Sequence, residues 1–227
     1  MKLSVVLPAY NEAEVLPRVI PELQRELKAT GDPFEIIVVD NGSTDQTAEV
    51  LKTLQRAIPE LTALSISPNR GFGGGILAGM AKASGDIVGW AGADDQLPAA
   101  DIARVYRTMR DQLHQFAQGV RTAWSRRSLR WLQSRAYTGF FTVFFGRLSQ
   151  DVNGTPKFFS RPLYERLGLG ATDWFIDSES IIRAARLGHR PQEIPVRWLA
   201  RSGGFSKVQI GATFEFVKNV LAHRLFK

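Results

Sequence analysis

The chain has 227 residues, enough for one substantial core, and its 44% apolar and 22% charged residues are ordinary for a globular protein. The absence of cysteine excludes disulfides, thiolate metal sites and cysteine nucleophiles, and the three histidines (His114, His189, His223) stand too far apart for a ligand cluster. The net charge of +7 is uneven: residues 1–100 carry 8 basic and 13 acidic side chains, and residues 101–227 carry 21 and 9, so the second half is expected to meet something anionic.

The first hundred residues alternate between strand and helix patterns. "LSVVLPA" (3–9) reads as a buried strand, and 12–29 has helical spacing. "FEIIVVD" (34–40) is a second strand, followed by a helix over 43–57 that Ser43 or Thr44 is expected to cap. "LTALSIS" is a third strand, "GGGILAGMAKAS" a glycine-led helix, and "DIVGWAG" a fourth strand. Strands apolar on both faces, alternating with helices, predict an α/β fold with a mostly parallel sheet. In such sheets ligands bind beyond the carboxyl ends of the strands. The polar signatures fall at those ends: "PAYNE", "DNGSTD", "NRGFGGG" and "GADDQ".

The second half is less regular. A helix near 99–113 precedes an arginine-rich and then aromatic stretch, 116–146, with no acid between residues 112 and 150. "DVNGTPKFFSRPLYERLG" reads as a turn, a short strand and a helix. Residues 173–207 read as a helix, a strand and a glycine loop, and the tail as an amphipathic helix with Ile210, Phe214, Val217, Leu221 and Leu225 on one stripe. No apolar run approaches the roughly 18 residues of a spanning helix, and the N-terminus turns polar too soon for a signal peptide, so a cytoplasmic location is expected.

Several residue types point to chemistry. Asp40, ending an apolar strand, suits the N–H edge of a nucleobase, with Tyr10 offering an aromatic face; capping a turn is the plainer alternative. The glycine turn at 69–75, including Gly73, suits phosphate through exposed N–H groups and a helix N-terminus, although it matches neither a Walker loop nor a dinucleotide fingerprint. Arg121, Arg126, Arg127, Arg130 and Arg135 suit phosphate pairing. The aromatics at 137–145 cluster apart from those arginines, and no nucleic-acid module is recognisable, so nucleic acid is not expected as a partner. Arg201, Ser206 and Lys207 surround two glycines in a loop with three phosphate donors. Asp177 and Glu179 are the best-placed bases should the acceptor be a hydroxyl.

Taken together, "VVLPAYNE", "VVDNGSTD", "GFGGGILAGMAKASGDIV", "GADDQLP", "DVNGTPKFFSR" and "RSGGFSK" resemble the family-2 inverting glycosyltransferases, most closely the dolichol-phosphate mannose synthase-like branch. The resemblance covers nearly the whole chain. It implies a nucleotide-diphospho-sugar transferase (GT-A) sandwich, with 1–227 as a single domain whose first hundred residues bind the nucleotide sugar. The rest faces acceptor and membrane. The implied reaction moves a sugar from a UDP- or GDP-linked donor to a polyprenyl (dolichyl or undecaprenyl) phosphate at a membrane's cytoplasmic face, assisted by Mg2+ or Mn2+. It further implies that Pro8, Tyr10, Glu12, Asp40, Gly73 and Asp94 hold the nucleotide, that Asp94 and Gln96 belong to a metal motif, and that Arg121, Arg130, Ser134, Arg201, Ser206 and Lys207 grip phosphates. Asp94, Arg121 and Arg130 are then the catalytic candidates. This chain departs from the pattern at Gly92, where the first metal carboxylate should stand, and more mildly at Asn41. Side-chain alternation along an extended chain would put Asp94 and Gln96 on one side, with Asp95 as a substitute for the absent acid.

Overall fold

A computed structural model describes residues 1–122 and 129–200, with residues 129 and 130 described by their backbone alone. The four apolar runs of the first half form β1 (Leu3–Ala9), β2 (Phe34–Asn41), β3 (Leu61–Ile66) and β4 (Ile87–Trp90). They alternate with α1 (Leu16–Lys28), α2 (Thr47–Ala57) and α3 (Gly71–Met80). The second half adds α4 (Ala99–Asp111), β5 (Phe116–Arg121), α5 (Leu129–Phe145), β6 (Lys157–Ser160), α6 (Arg161–Leu167), α7 (Ile176–Arg186) and β7 (Gln192–Val196).

All seven strands join one sheet in the order β3-β2-β1-β4-β6-β5-β7. Every neighbouring pair is parallel except the two that β6 makes, with β4 and with β5. Two apolar layers cover it. On one face Leu16, Ile20, Leu23 and Leu27 of α1 pack with Leu51 of α2 and with Ile102, Val105 and Tyr106 of α4. On the other, Ile76 and Met80 of α3 pack with Phe141 of α5, Leu163 of α6 and Ile181 of α7. The expected α/β class and mostly parallel sheet are what the chain adopts.

The strand directions decide where polar residues meet. Because β1 to β5 and β7 all run the same way, their carboxyl ends share one edge, and the reversed β6 brings its first residue there. That edge carries residues 10–12, Asp40 and Asn41, residues 91–96, Arg121, Lys157 and residues 197–200.

Local details differ from the pattern. Helix α2 begins at Thr47, and neither Ser43 nor Thr44 caps it. Asp45 serves instead, accepting from Thr47 N (3.0 Å) and its hydroxyl (2.5 Å), while Ser43 Oγ accepts from Asn11 N across the edge (2.9 Å). Strand β5 and helix α5 were hidden within the arginine-rich and aromatic run. Gln118 and Gly119 interrupt the apolar pattern of β5 yet are fully covered by β6 and β7.

Candidate functional site

The loops after β1 and β2 are stitched together. Asn11, at a φ of 53°, accepts from Thr44 N at 2.8 Å, and Glu12 N donates to Thr47 Oγ1 at 3.0 Å. Tyr10 is half-buried and Glu12 buried beside them. Asp40 does cap a turn, accepting from Ser43 N at 3.0 Å. Asn41 is a brace: its Oδ1 accepts from Arg70 N (2.9 Å) and its Nδ2 donates to Gly71 O (2.7 Å). A carboxylate could accept the first bond but not donate the second.

Beyond that brace, the glycine turn is packed from outside. A Cβ at Gly73 would lie 2.2 Å from Ala171 O and 2.8 Å from Asp173 O, and one at Gly71 would lie 2.4 Å from Thr172 O. Gly74 N donates to Thr172 O at 2.9 Å, and Phe72 stacks on Trp174 with ring centroids 4.2 Å apart. These glycines admit the backbone of residues 171–173 against α3. One of the N–H groups expected to face phosphate, that of Gly74, is thereby taken by Thr172 O.

The turn after β4 carries the acidic pair. A Cβ added at Gly92 would stand 3.1 Å from Asp94 Oδ1 with only that side chain in reach, and Gly92 has no positive φ. Positions 92 and 94 thus serve one location, as paired metal carboxylates require, and here only Asp94 supplies an acid. Asp95, the expected substitute, is turned toward α1. At a φ of 60° the chain bends away from extended geometry, and the Asp95 carboxylate pairs with Arg18 on α1. Simple side-chain alternation fails at this turn for the same reason. Gln96 is buried, and its Nε2 donates to Leu199 O at 3.1 Å while its carbonyl accepts from Leu199 N at 2.8 Å. Its side-chain oxygen is the atom left to serve a cation. Among the described residues no group of three or more acids or histidines could hold a metal ion. One carboxylate and one amide oxygen fit a divalent ion only together with phosphates that a donor brings.

Arg121, at the end of β5, is oriented on several sides. Its Nε and Nη2 donate to Asp151 at 2.7 and 2.6 Å, and Nη2 also donates to Ser134 Oγ at 3.0 Å. The Trp198 ring lies with its centroid 5.1 Å from the guanidinium carbon. The structure thus brings Arg121 and Ser134, two of the expected phosphate-binding residues, within hydrogen-bond distance of each other. The Arg130 side chain and Arg126, Arg127, Arg201, Ser206, Lys207 and the expected final helix lie outside the described residues.

Sequence reasoning missed Lys157. Fully buried between Trp90 and Gln118, its ammonium donates to Gly154 O (2.6 Å) and Val152 O (3.0 Å) and pairs with Asp177 Oδ1 at 3.1 Å. Burial pushes its pKa down, against the pull of Asp177. Trp90 Nε1 donates to the same Asp177 oxygen (3.1 Å). Glu179 accepts from Gly170 N and Ala171 N (2.9 and 2.8 Å) and pairs with Arg183 at 2.8 Å. Both candidate bases are thus buried structural acceptors. The only sequence signal for Lys157 was a lysine inside the short strand "KFFS".

Known proteins share this arrangement of strands and loops. The glycosyl transferase family 2 model matches residues 4–168. Glycosyltransferase AglD of Haloferax volcanii is 30% identical over 208 residues, covering 87% of this chain and 33% of that protein. An undecaprenyl-phosphate 4-deoxy-4-formamido-L-arabinose transferase of Yersinia enterocolitica is 40% identical over 106 residues, 46% of this chain and 32% of that protein. This chain spans about one third of the length of these relatives. Among solved structures, the mannosyltransferase PcManGT of Pyrobaculum calidifontis, in complex with GDP-Man and Mn2+, superposes with a TM-score of 0.67 at 23% identity. The likeness covers 98% of this chain and 62% of that one, and it shows that the fold is the GT-A sandwich.

Proposed function

Because this chain belongs to glycosyl transferase family 2, we propose that residues 1–227 act as one catalytic domain transferring a sugar, with inversion, from a nucleotide-diphosphate donor to a polyprenyl phosphate. The observation that carries this reading is the pairing of Asp177 and Glu179 with buried partners, which leaves neither as a ready base for a hydroxyl acceptor. A phosphate nucleophile needs no base, since its second pKa is near 6 and it is already anionic. The name of the Yersinia relative, an undecaprenyl-phosphate transferase, agrees with that choice.

In this reading Pro8, Tyr10, Glu12 and Asp40 receive the UDP or GDP portion of the donor. Asp94, with the Gln96 oxygen, holds a divalent ion, Mg2+ or Mn2+, together with the donor's diphosphate; that ion supplies charge for the leaving group. Arg121, its plane set by Asp151 and Trp198, and Ser134 meet the acceptor phosphate, helped by Arg130, Arg201, Ser206 and Lys207. Positive charge placed where the leaving diphosphate becomes more negative lowers the barrier.

The acceptor is a membrane lipid, so the enzyme is proposed to sit peripherally on the cytoplasmic face. Among the described residues no helix is long and apolar enough to cross a membrane. The outer face of α5 is the proposed seat: Leu132, Ala136, Gly139 and Val143 recur on one side at helical spacing, with Leu132 and Val143 well exposed and Arg135 and Arg147 flanking them.

A panel of UDP- and GDP-sugars with a short polyprenyl phosphate, run with Mg2+, Mn2+ or chelator, tests the reading. Release of nucleoside diphosphate should require the lipid phosphate, and Asp94→Ala should lower turnover by about a hundredfold. Turnover on a soluble hydroxyl acceptor alone would sink it.

A further inference from the structure

We propose that Gln96 is a positioning residue that joins the donor turn at Asp94 to the acceptor-side cation Arg121. This rests on the polyprenyl-phosphate reading above. The segment after β7 is held at three points. Val196 O accepts from Thr122 N (3.0 Å) and Oγ1 (3.2 Å), Asp101 Oδ2 accepts from Arg197 N (2.8 Å) and Nε (3.1 Å), and Leu199 exchanges two hydrogen bonds with Gln96 (2.8 and 3.1 Å). Between the second and third points stands Trp198, whose ring lies against the Arg121 guanidinium.

Of these three anchors, Gln96 is the one that lies in the acidic turn. An amide suits this position, because Nε2 must donate to a carbonyl, which a glutamate could not do, while the oxygen remains available toward the donor side. A shift of the Asp94 turn is transmitted through Leu199 to the ring that braces Arg121. Donor and acceptor phosphates are thereby held in one frame, which in-line attack demands, since small misplacements of reacting groups cost rate.

Two variants test this. Gln96→Met removes the donor without adding charge, and Gln96→Glu keeps an oxygen for a cation but opposes Leu199 O. Each should raise the KM for a short polyprenyl phosphate about tenfold, the scale of one hydrogen bond. The affinity for UDP or GDP without metal, read by calorimetry, should stay within about twofold. Trp198→Leu should raise the same KM, and Gln96→Met combined with Trp198→Leu should be no worse than Trp198→Leu alone. Multiplying losses, or weakened nucleotide binding with an unchanged acceptor KM, would overturn the proposal. The Arg121 Nε–H NMR signal, assigned by its absence from Arg121→Lys, should shift in Gln96→Met as it does in Trp198→Leu, through the lost ring current. An unshifted signal overturns the strut whatever the acceptor proves to be, whereas a shifted signal without lipid-dependent turnover removes only the acceptor reading.

Discussion

Position 92 has a backbone that accepts a side chain, and the first atom of that side chain would stand 3.1 Å from Asp94 Oδ1. Gly92→Asp should therefore complete a carboxylate pair rather than distort the turn. Ion affinity follows the number of charged ligands, so Mn2+ binding in the presence of UDP or GDP should tighten by about tenfold or more, measured by calorimetry. No gain would mean that Asp94 does not face the ion. The neighbouring acid, Asp95, has one carboxylate oxygen engaged by Arg18 from α1. At Asn41 the amide answers both Arg70 N and Gly71 O, so its difference from the family pattern is matched to the turn it supports. The sequence displayed both departures, Gly92 and Asn41, but held no sign of these partners, which lie 29 to 77 positions away in the chain.

Among the elements, α5 was the least legible, because it buries and exposes apolar residues on opposite sides. Phe141 is fully buried, and Tyr137 reaches Ser178 of α7, so aromatic side chains occur on the inner face as core. On the outer face Leu132 is 57% exposed and Val143 80% exposed. A pattern apolar all round does not reveal to a sequence reader which side meets protein. If the outer face meets an anionic leaflet, Leu132→Glu with Val143→Glu should lower co-sedimentation with phosphatidylserine-containing vesicles by about tenfold. Gln133→Glu with Gln150→Glu, the same charge change at exposed positions off the stripe, should have a much smaller effect. Equal losses in both pairs would reduce the contact to charge alone. Helix α3 carries a constraint of another kind: Gly71 and Gly73, whose residue type suits an anion cradle, are also required by the close approach of residues 171–173.

For the whole molecule, acid should be the destabilising direction. Burial raises the carboxyl of Asp101, but bonds from Arg104 and Arg197 outweigh it and hold the pKa below its ordinary 3.8. In the same direction, Glu35 is lowered against burial by Ser4, Ser84 and Lys2, and Asp32 against burial by Arg110 and Tyr106. Groups whose folded pKa is depressed contribute stability that is present above the unfolded value and lost as pH falls through the folded one. The urea midpoint should thus be nearly level from pH 7 to about 5 and fall steeply below about 4. Asp101→Asn should be less stable at pH 7 and show a shallower acid decline, because it has already lost that carboxylate's pairs. A midpoint that rises on acidification would contradict the assignment.

The strand–helix alternation, the parallel sheet and the gathering of polar loops at the strand ends were determined by the sequence alone, because apolar periodicity and turn residues are local properties. The tertiary structure alone decided what each polar side chain does there. Asp177 meets Trp90 across 87 residues, and Gln96 meets Leu199 across 103. Asp95 is drawn to Arg18, and a lysine within a short strand becomes the buried centre beneath the site. Such pairings depend on which strand ends lie side by side and on how α1 and the segment after β7 pack against them, and no local pattern along the chain records that arrangement.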